Sequence, residues 1–165
     1  QTSKPIPDVL RHILLIYEAG ESVVDVKTGS WSELKSLASP LRYEVFVTEQ
    51  EIDPELEWDT LDDSALHAVV VNKLGQPVAT GRLLQPQPHV AQIGRMAVSK
   101  SLRGGSLGRL VVSTLMEKAK QRGDQQLVLH AQCSAEGFYK RSGFEPHGGV
   151  FEDAGIAHIE MVRGL

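Results

Sequence analysis

The stretch MAVSKSLRGGSLGRLVVSTL, from Met96 to Leu115, decides the fold of this chain. It joins the end of a β-rich run to a glycine-rich turn and then to an amphipathic helix. The apolar positions of that helix recur three and four residues apart, at Leu107, Leu110, Val111, Thr114 and Leu115. We expect the helix to end at Gly123. This order predicts a helix that starts directly after a strand and packs its apolar side on a sheet.

The turn between strand and helix is suited to holding an anion. Gly104, Gly105 and Gly108 let the backbone approach a ligand closely, and a helix begins with unpaired N–H groups at the positive end of its dipole. Arg103 and Arg109 flank the turn and can add charge-assisted hydrogen bonds. The turn therefore predicts a phosphate or pyrophosphate site, although many glycine-rich turns before helices are only turns.

Two known nucleotide-binding motifs do not fit this turn. A Walker A loop ends in Gly-Lys-Ser or Gly-Lys-Thr, whereas Gly108 is followed by Arg109 and Leu110. A dinucleotide fingerprint needs Gly-x-Gly-x-x-Gly after the first strand of a parallel unit, and both the spacing and the position differ here.

Strands are predicted on both sides of this stretch. The β-rich runs are Ser22–Val26, Ala65–Val71, Val78–Leu84, Gln92–Val98, Leu127–Ala131 and His158–Val162. Gly75 and Pro77 mark a hairpin between the second and third runs, so these are expected to be antiparallel neighbours. Thr28 and Gly29 supply a turn after the first run.

Further helices are predicted between these strands. Ser30 and Glu33 have the spacing of a capping box and start one helix. Pro40 is expected to begin a second helix, with Ser39 as its N-cap. A short helix covers Ser134 to Ser142 and closes at Gly143, whereas the acidic residues 51–63 predict a loop. The fold class is α/β (α+β), with a mixed sheet flanked by helices in one domain over residues 1–165, and residues 1–11 form a loosely held arm.

Composition excludes several classes of function. The 165 residues are 41% hydrophobic and carry a net charge of −4, which gives no basic surface for nucleic acid or an anionic membrane. Cys133 is the single cysteine, so we expect no internal disulfide and a reducing, cytoplasmic compartment. No apolar run is long enough to span a membrane. His89, His130 and His147 show no metal-ligand spacing, and no metal is expected.

Beyond the turn, the sequence resembles the GNAT superfamily of acyl-CoA-dependent N-acyltransferases. Their pyrophosphate loop has the form Q/R-x-x-G-x-G/A, which is matched at Arg103 and Gly108 and departs at Ser106. Four more segments resemble the ElaA-like branch in the same order, and these are RYEVFVTEQ (42–50), WDTLDDSALH (58–67), HAQCSAEGFYKRSGF (130–144) and FEDAGIAHIEM (151–161). The resemblance implies a mostly antiparallel central sheet with flanking helices.

The resemblance also implies where acetyl-CoA would bind as co-substrate. Its pantetheine arm would lie along a strand end and its pyrophosphate on the glycine-rich loop. The implied contact residues are Met96, Ala97, Val98, Arg103, Gly104, Gly105, Ser106, Leu107, Gly108, Arg109 and Phe138. Tyr139 falls where such enzymes often carry the general acid that protonates the departing thiolate, and a half-buried packing role is the alternative.

The base is a choice among Glu49, His67 and His158, which all lie within or beside the resembling segments. An alkyl amine with a pKa of about 10.4 is almost fully protonated at pH 7, so a proton must leave it directly or through water. Each of the three residues has a structural role as its alternative. Cys133 before a short helix is a weaker hypothesis for a nucleophile, as in a cysteine hydrolase.

Acidic residues precede the second predicted strand, at Glu57, Asp59, Asp62 and Asp63. They either attract a cationic amine or belong to a solvated loop.

The function predicted from these residues is an N-acetyltransferase. It would move the acetyl group of acetyl-CoA to a primary amine by direct attack in a ternary complex. The alternative is a non-catalytic acyl-CoA-binding sensor or interaction module. The acceptor stays open between a small amine, an aminoglycoside, a polyamine, a peptide amino terminus and a lysine. An exposed sheet edge or helix face would also allow a homodimer.

Overall fold

An eight-stranded sheet forms the centre of the protein in the computed structural model, which describes Pro7 and residues 23–165. The strands are β1 (Val24–Gly29), β2 (Leu66–Asn72), β3 (Pro77–Gln87), β4 (Val90–Val98), β5 (Gln126–Gln132), β6 (Glu145–Pro146), β7 (Phe151–Asp153) and β8 (Ile156–Gly164). Their order across the sheet is β1-β2-β3-β4-β5-β8-β6, and β7 pairs with β8. All pairs are antiparallel except β4 and β5. The predicted fold class is confirmed.

Helices cover both faces of the sheet. They are α1 (Trp31–Arg42), α2 (Pro54–Glu57), α3 (Leu107–Gln121) and α4 (Glu136–Arg141). A π-helical segment, Tyr43–Glu49, continues directly from α1, and short 3-10 turns cover Thr60–Ser64, Lys100–Leu102 and Cys133–Ala135. Within the described residues, none of the helices has the length and apolar character of a membrane span.

Strand β2 shows how the two layers of helices are held. Its residues alternate between the faces, so Ala68 and Val70 pack in the cluster that contains α3, and Val69 and Val71 pack under α1. Because both faces of the strand are buried, β2 reads as a nearly continuous apolar run rather than as an alternating one. The core therefore lies on both sides of the central strands.

The parallel strands β4 and β5 separate along their length. They pair only between Val90–Ile93 and Gln126–Leu129, although both strands continue further. Just beyond the last pair, β4 carries one extra residue relative to β3, and Arg95 has a positive φ of 50°. A bulge of this kind bends a strand and increases its twist. The result is a gap between the two strands that begins at Gly94.

Several elements differ from the sequence prediction. Strand β1 continues through Thr28 and Gly29, which were expected to turn, because β2 offers pairing partners as far as His67. Residues 51–63 were expected to be a loop and contain α2 and a 3-10 turn. The expected arm at residues 1–11 lies outside the described residues, apart from Pro7.

The prediction that a second helix begins at Pro40 was wrong. Instead α1 runs through Pro40, and its capping box of Ser30 and Glu33 is confirmed. Proline removes one helical hydrogen bond, to the carbonyl of Ser36. That residue is exposed, so water can satisfy its carbonyl, while the buried face of the helix continues from Ala38 to Leu41.

A buried ion-pair network joins the segment 53–64 to the sheet. The Arg42 guanidinium donates from Nη1 and Nη2 to the two carboxylate oxygens of Asp62, at 2.8 and 3.1 Å. Its Nε donates to Glu57 at 2.5 Å. Arg82 donates to both oxygens of Asp59 and to Asp62, at 2.6 to 3.0 Å. Arg42 and Asp62 are each 1% exposed, so these charges depend on one another.

The network corrects both interpretations of the acidic residues. Glu57, Asp59 and Asp62 neither attract a ligand cation nor face solvent freely, because guanidinium groups neutralise them. Burial alone would raise the pKa of Asp62, but Arg42 and Arg82 outweigh it and hold the pKa below its ordinary value. Only Asp63, which is exposed, fits the solvated interpretation.

We predict that Asp62→Asn lowers the free energy of unfolding by about 3–5 kcal/mol, because it leaves Arg42 and Arg82 without their shared partner in the interior. Asp63→Asn removes the same charge from the next residue, and we expect a change below about 0.5 kcal/mol. Urea denaturation of both variants makes the comparison. Equal, small effects would show that the network does not hold the segment.

Candidate functional site

A cavity of about 360 Å³ opens where β4 and β5 separate. Its walls come from β3, the bulge of β4, the end of β5, the hairpin of β7 and β8, the short helices α2 and α4, and the segment that follows α1. The lining residues include Gln50, Glu57, Arg82, Arg95, Met96, His130, Gln132, Tyr139, Asp153 and His158. The cavity therefore combines apolar side chains with about as many polar and charged ones, which can orient a ligand.

The amino terminus of α3 lies after β4, across the short turn 100–102. Among the described residues, no hydrogen-bond partner is found for the backbone N–H groups of residues 104–109, and Leu110 makes the first helical bond, to Ser106 at 2.9 Å. Gly104 has a φ of +85°, which a residue with a side chain rarely adopts. Six consecutive unpaired donors at the positive end of a helix form a cradle for an anion.

The two arginines that flank this cradle differ in what they contact. Arg109 is exposed and has no ion-pair partner within the part of the chain that is described. Arg103 instead donates to both carboxylate oxygens of Glu49 and, through Nε, to the carbonyl of Val98 at 3.1 Å. Arg103 therefore ties the π-helical segment to the end of β4, and Arg109 is the cation that is free for a ligand.

The cradle packs against α4, where Gly108 lies close to Phe138. A Cβ atom added to Gly108 would lie 3.1 Å from Cζ of Phe138 and 3.6 Å from Cγ2 of Val98, so only a glycine fits without displacing the ring. Phe138 also meets Tyr139 edge to face, with ring centroids 4.9 Å apart. The position of the cradle and that of Tyr139 are thus set by the same ring.

Tyr139 lines the cavity and is 8% exposed. Its ring packs against Phe138 and Phe144. Burial raises the pKa of Tyr139 to about 12, and its hydroxyl has no hydrogen-bond partner in residues 23–165. The side chain therefore has the packing role that was one of the two alternatives, and it is a weaker acid than an ordinary tyrosine.

His158 lines the same cavity from β8. Its Nδ1 lies 2.7 Å from the carbonyl oxygen of Ile156, and because a carbonyl only accepts, Nδ1 carries the proton. The lone pair of the neutral ring is then on Nε2. Phe151 stacks on the imidazole, with centroids 5.9 Å apart and an interplanar angle of 26°. A fixed tautomer and a fixed ring make this side chain a suitable proton acceptor.

The other two base candidates lie elsewhere or are already paired. His67 is 1% exposed, donates from Nε2 to the carbonyl of Asp62 at 2.9 Å and packs on Trp31. Burial lowers the pKa of His67. Arg103 holds the pKa of Glu49 below its ordinary value. Neither residue is among those that line the cavity.

Cys133 is partly buried in the 3-10 turn before α4 and packs against the main core cluster. It does not line the cavity. The described residues contain no group of three or more histidine, cysteine or acidic side chains that could hold a metal ion.

Several cavity residues were missed by the sequence prediction. Gln132 donates to Gln50 at 3.0 Å across the cavity, and His130 lies on the same face of β5 as Gln132. Arg95 donates to the carbonyls of Leu56 and Glu57 and closes another wall. Because strand residues alternate between the two faces, the sequence alone could have placed His130 on the same face as Gln132. The pairing of Arg95 with a segment almost forty residues earlier carries no sequence signal.

Comparisons with known proteins agree with this geometry. A family model described as "Acetyltransferase (GNAT) domain" matches residues 33–165. The chain is 36% identical to the uncharacterized protein YyaT of Bacillus subtilis over 131 residues, which are 78% of this chain and 87% of that protein.

Solved structures extend the likeness to the fold. The crystal structure of Escherichia coli ElaA has a TM-score of 0.75 and 31% identity, and covers 85% of this chain and 99% of its own. A crystal structure of an acyl-CoA N-acyltransferase from Pseudomonas aeruginosa has a TM-score of 0.74 and 31% identity, with the same coverage. The chain therefore belongs to the GNAT acetyltransferase family, in its ElaA-like branch.

Proposed function

We propose that this protein is an N-acetyltransferase that moves the acetyl group of acetyl-CoA to a primary amine by direct attack in a ternary complex. The observation that carries the proposal is the cradle of six free N–H groups, residues 104–109, beside the gap between β4 and β5. The family uses acyl-CoA co-substrates, and a pyrophosphate is the anion that such a helix terminus suits.

The cradle and the gap between β4 and β5 would bind different parts of the co-substrate. The pyrophosphate would accept hydrogen bonds from residues 104–109 and from the Arg109 guanidinium. The pantetheine arm would pair with the backbone of Met96, Ala97 and Val98 in the manner of an added strand, because β5 no longer pairs with this part of β4. The Phe138 ring packs against this loop at Gly108. The thioester would then reach the cavity that Tyr139 and His158 line.

His158 is the base in this proposal. Its Nε2 takes the proton from the acceptor ammonium, and the neutral amine attacks the thioester carbonyl. The carbon–sulfur bond of the tetrahedral adduct then breaks, and the electron pair leaves on the CoA sulfur. Glu49 and His67 are assigned structural roles, because the first is paired with Arg103 and the second is buried against Trp31.

Tyr139 donates its hydroxyl proton to the departing sulfur. A tyrosine with a pKa of about 12 is a poor donor to a thiolate in water, where the thiol pKa is about 8.5. The same burial raises the pKa of a thiol in the cavity, which brings the two groups closer together. The nitrogen of the adduct gives its second proton to the Tyr139 oxygen, which restores the hydroxyl and leaves an uncharged amide. The proton taken by His158 returns to solvent.

We predict that Arg109→Ala weakens acetyl-CoA binding by about tenfold, because it removes a charge-assisted hydrogen bond to a phosphate group. Lys120→Ala takes one cation from the other end of α3 and is the matched control, with no change expected. Isothermal titration calorimetry measures both. Wild-type protein that is folded and does not bind acetyl-CoA would overturn the proposed function.

We predict that Tyr139→Phe lowers turnover by about 10²-fold and leaves acetyl-CoA affinity nearly unchanged, because only the proton donor is lost. His158→Gln should lower turnover to a similar extent in the same assay of CoA release with a primary amine. Tyr43→Phe, at a side chain 52% exposed, is the control. Binding of acetyl-CoA without transfer to any amine would indicate the sensor alternative, and full activity in Tyr139→Phe would exclude its role as the acid.

A further inference from the structure

One charged side chain that lines the cavity, Asp153, has no ionic partner among the described residues. Glu57, Arg82 and Arg95 belong to the ion-pair network, in which three guanidinium groups meet three carboxylates. Asp153 also lines the cavity but lies outside the network. No cation of the described residues is within ion-pair distance of its carboxylate. Asp153 is therefore the unpaired carboxylate of the lining, and its side chain is exposed to solvent.

The hairpin of β7 and β8 fixes the place of this carboxylate. Its turn is Ala154–Gly155, and both residues have positive φ, 51° and 78°, as a two-residue hairpin turn of type I′ requires. Asp153 pairs with Ile156, and Phe151 pairs with His158. Because strand residues alternate between faces, the carboxylate of Asp153 is on the same face as the His158 imidazole.

On that face, the Asp153 carboxylate lies at a distance from the His158 imidazole. Asp153 and His158 are diagonal cross-strand neighbours, which places their side chains roughly 7–8 Å apart. The Phe151 ring lies on the same face, two residues from Asp153, and also meets the His130 ring at 5.3 Å. A carboxylate, an aromatic ring and an imidazole thus share one face of the hairpin, with Phe151 directly opposite His158.

We propose that the acceptor is an amine with a second cationic group, that is, a diamine or polyamine, and that Asp153 binds the second cation. This inference rests on the proposed function. One amine of the acceptor would lie at His158 and react, the other would pair with Asp153, and the alkyl chain between them would cover Phe151. An acceptor with a terminal carboxylate would instead be repelled by Asp153.

Three primary amines of equal length test the charge that the site prefers. They are 1,5-diaminopentane, hexylamine and 6-aminohexanoate, which end in an ammonium, a methyl and a carboxylate group. We expect kcat/KM to be highest for the diamine. Asp153→Asn should lower kcat/KM for the diamine by about tenfold and leave the value for hexylamine nearly unchanged, because only the diamine loses an ion pair.

The neighbouring carboxylate supplies the control. Glu152 is exposed on the opposite face of β7, so Glu152→Gln removes the same charge without reaching the cavity and should change none of the three values. Equal effects of the two substitutions would mean a general attraction of cations by net charge and would overturn the inference. A preference for 6-aminohexanoate, or a diamine rate that Asp153→Asn does not change, would also overturn it.

Calorimetry separates failure of the inference from failure of the proposed function. Titration of 1,5-diaminopentane into protein saturated with CoA should show binding that Asp153→Asn weakens by a similar factor. If acetyl-CoA binds and hexylamine is acetylated as well as the diamine, the inference fails and the acetyltransferase stands. If acetyl-CoA does not bind at all, the proposed function fails and the inference fails with it.

Discussion

The buried contact of Asp62 with Arg42 and Arg82 is the interaction on which the site depends. It joins the end of α1, the segment 53–64 and strand β3, and Arg82 extends it through Asp59 to Arg95 at the bulge of β4. Trp31 lies on the Arg42 guanidinium at 4.9 Å. Because each charged group is paired with the next, the network keeps one wall of the cavity in place and neutralises the acidic residues of that wall.

The proposed ligand sites lie where the parallel strands β4 and β5 stop pairing. Beyond Ile93, β4 keeps a strand conformation while β5 has turned away, and α3 begins a few residues further on. One end of the gap therefore offers unpaired backbone donors at 104–109, and the other offers Tyr139 and His158. A long co-substrate with an anionic middle and a reactive end can span these two places. In the proposed function, this arrangement lets one fold bind acyl-CoA and position an amine.

Local signals in the sequence predicted much of the fold. The capping box at Ser30, the spacing of the apolar residues in α3 and the turn at Gly75 each depend on residues close together in the chain, and the structure confirms them. The sequence also indicated the cradle, Tyr139 and His158. It could not show that Arg103 is held by Glu49, or that the acidic run is neutralised by Arg42, Arg82 and Arg95. Those partners are up to 54 residues apart, and nothing in the pattern of either segment selects the other.

Amide hydrogen exchange at residues 104–109, followed by NMR with and without saturating acetyl-CoA, tests whether this cradle holds the pyrophosphate. In the free protein these N–H groups have no partner within residues 23–165, so they should exchange quickly. Bound acetyl-CoA should slow the exchange of several of them by about tenfold or more, while the amides at the far end of α3 change little. Acetyl-CoA that binds and leaves residues 104–109 as fast as before would contradict the account, because the pyrophosphate would then lie elsewhere.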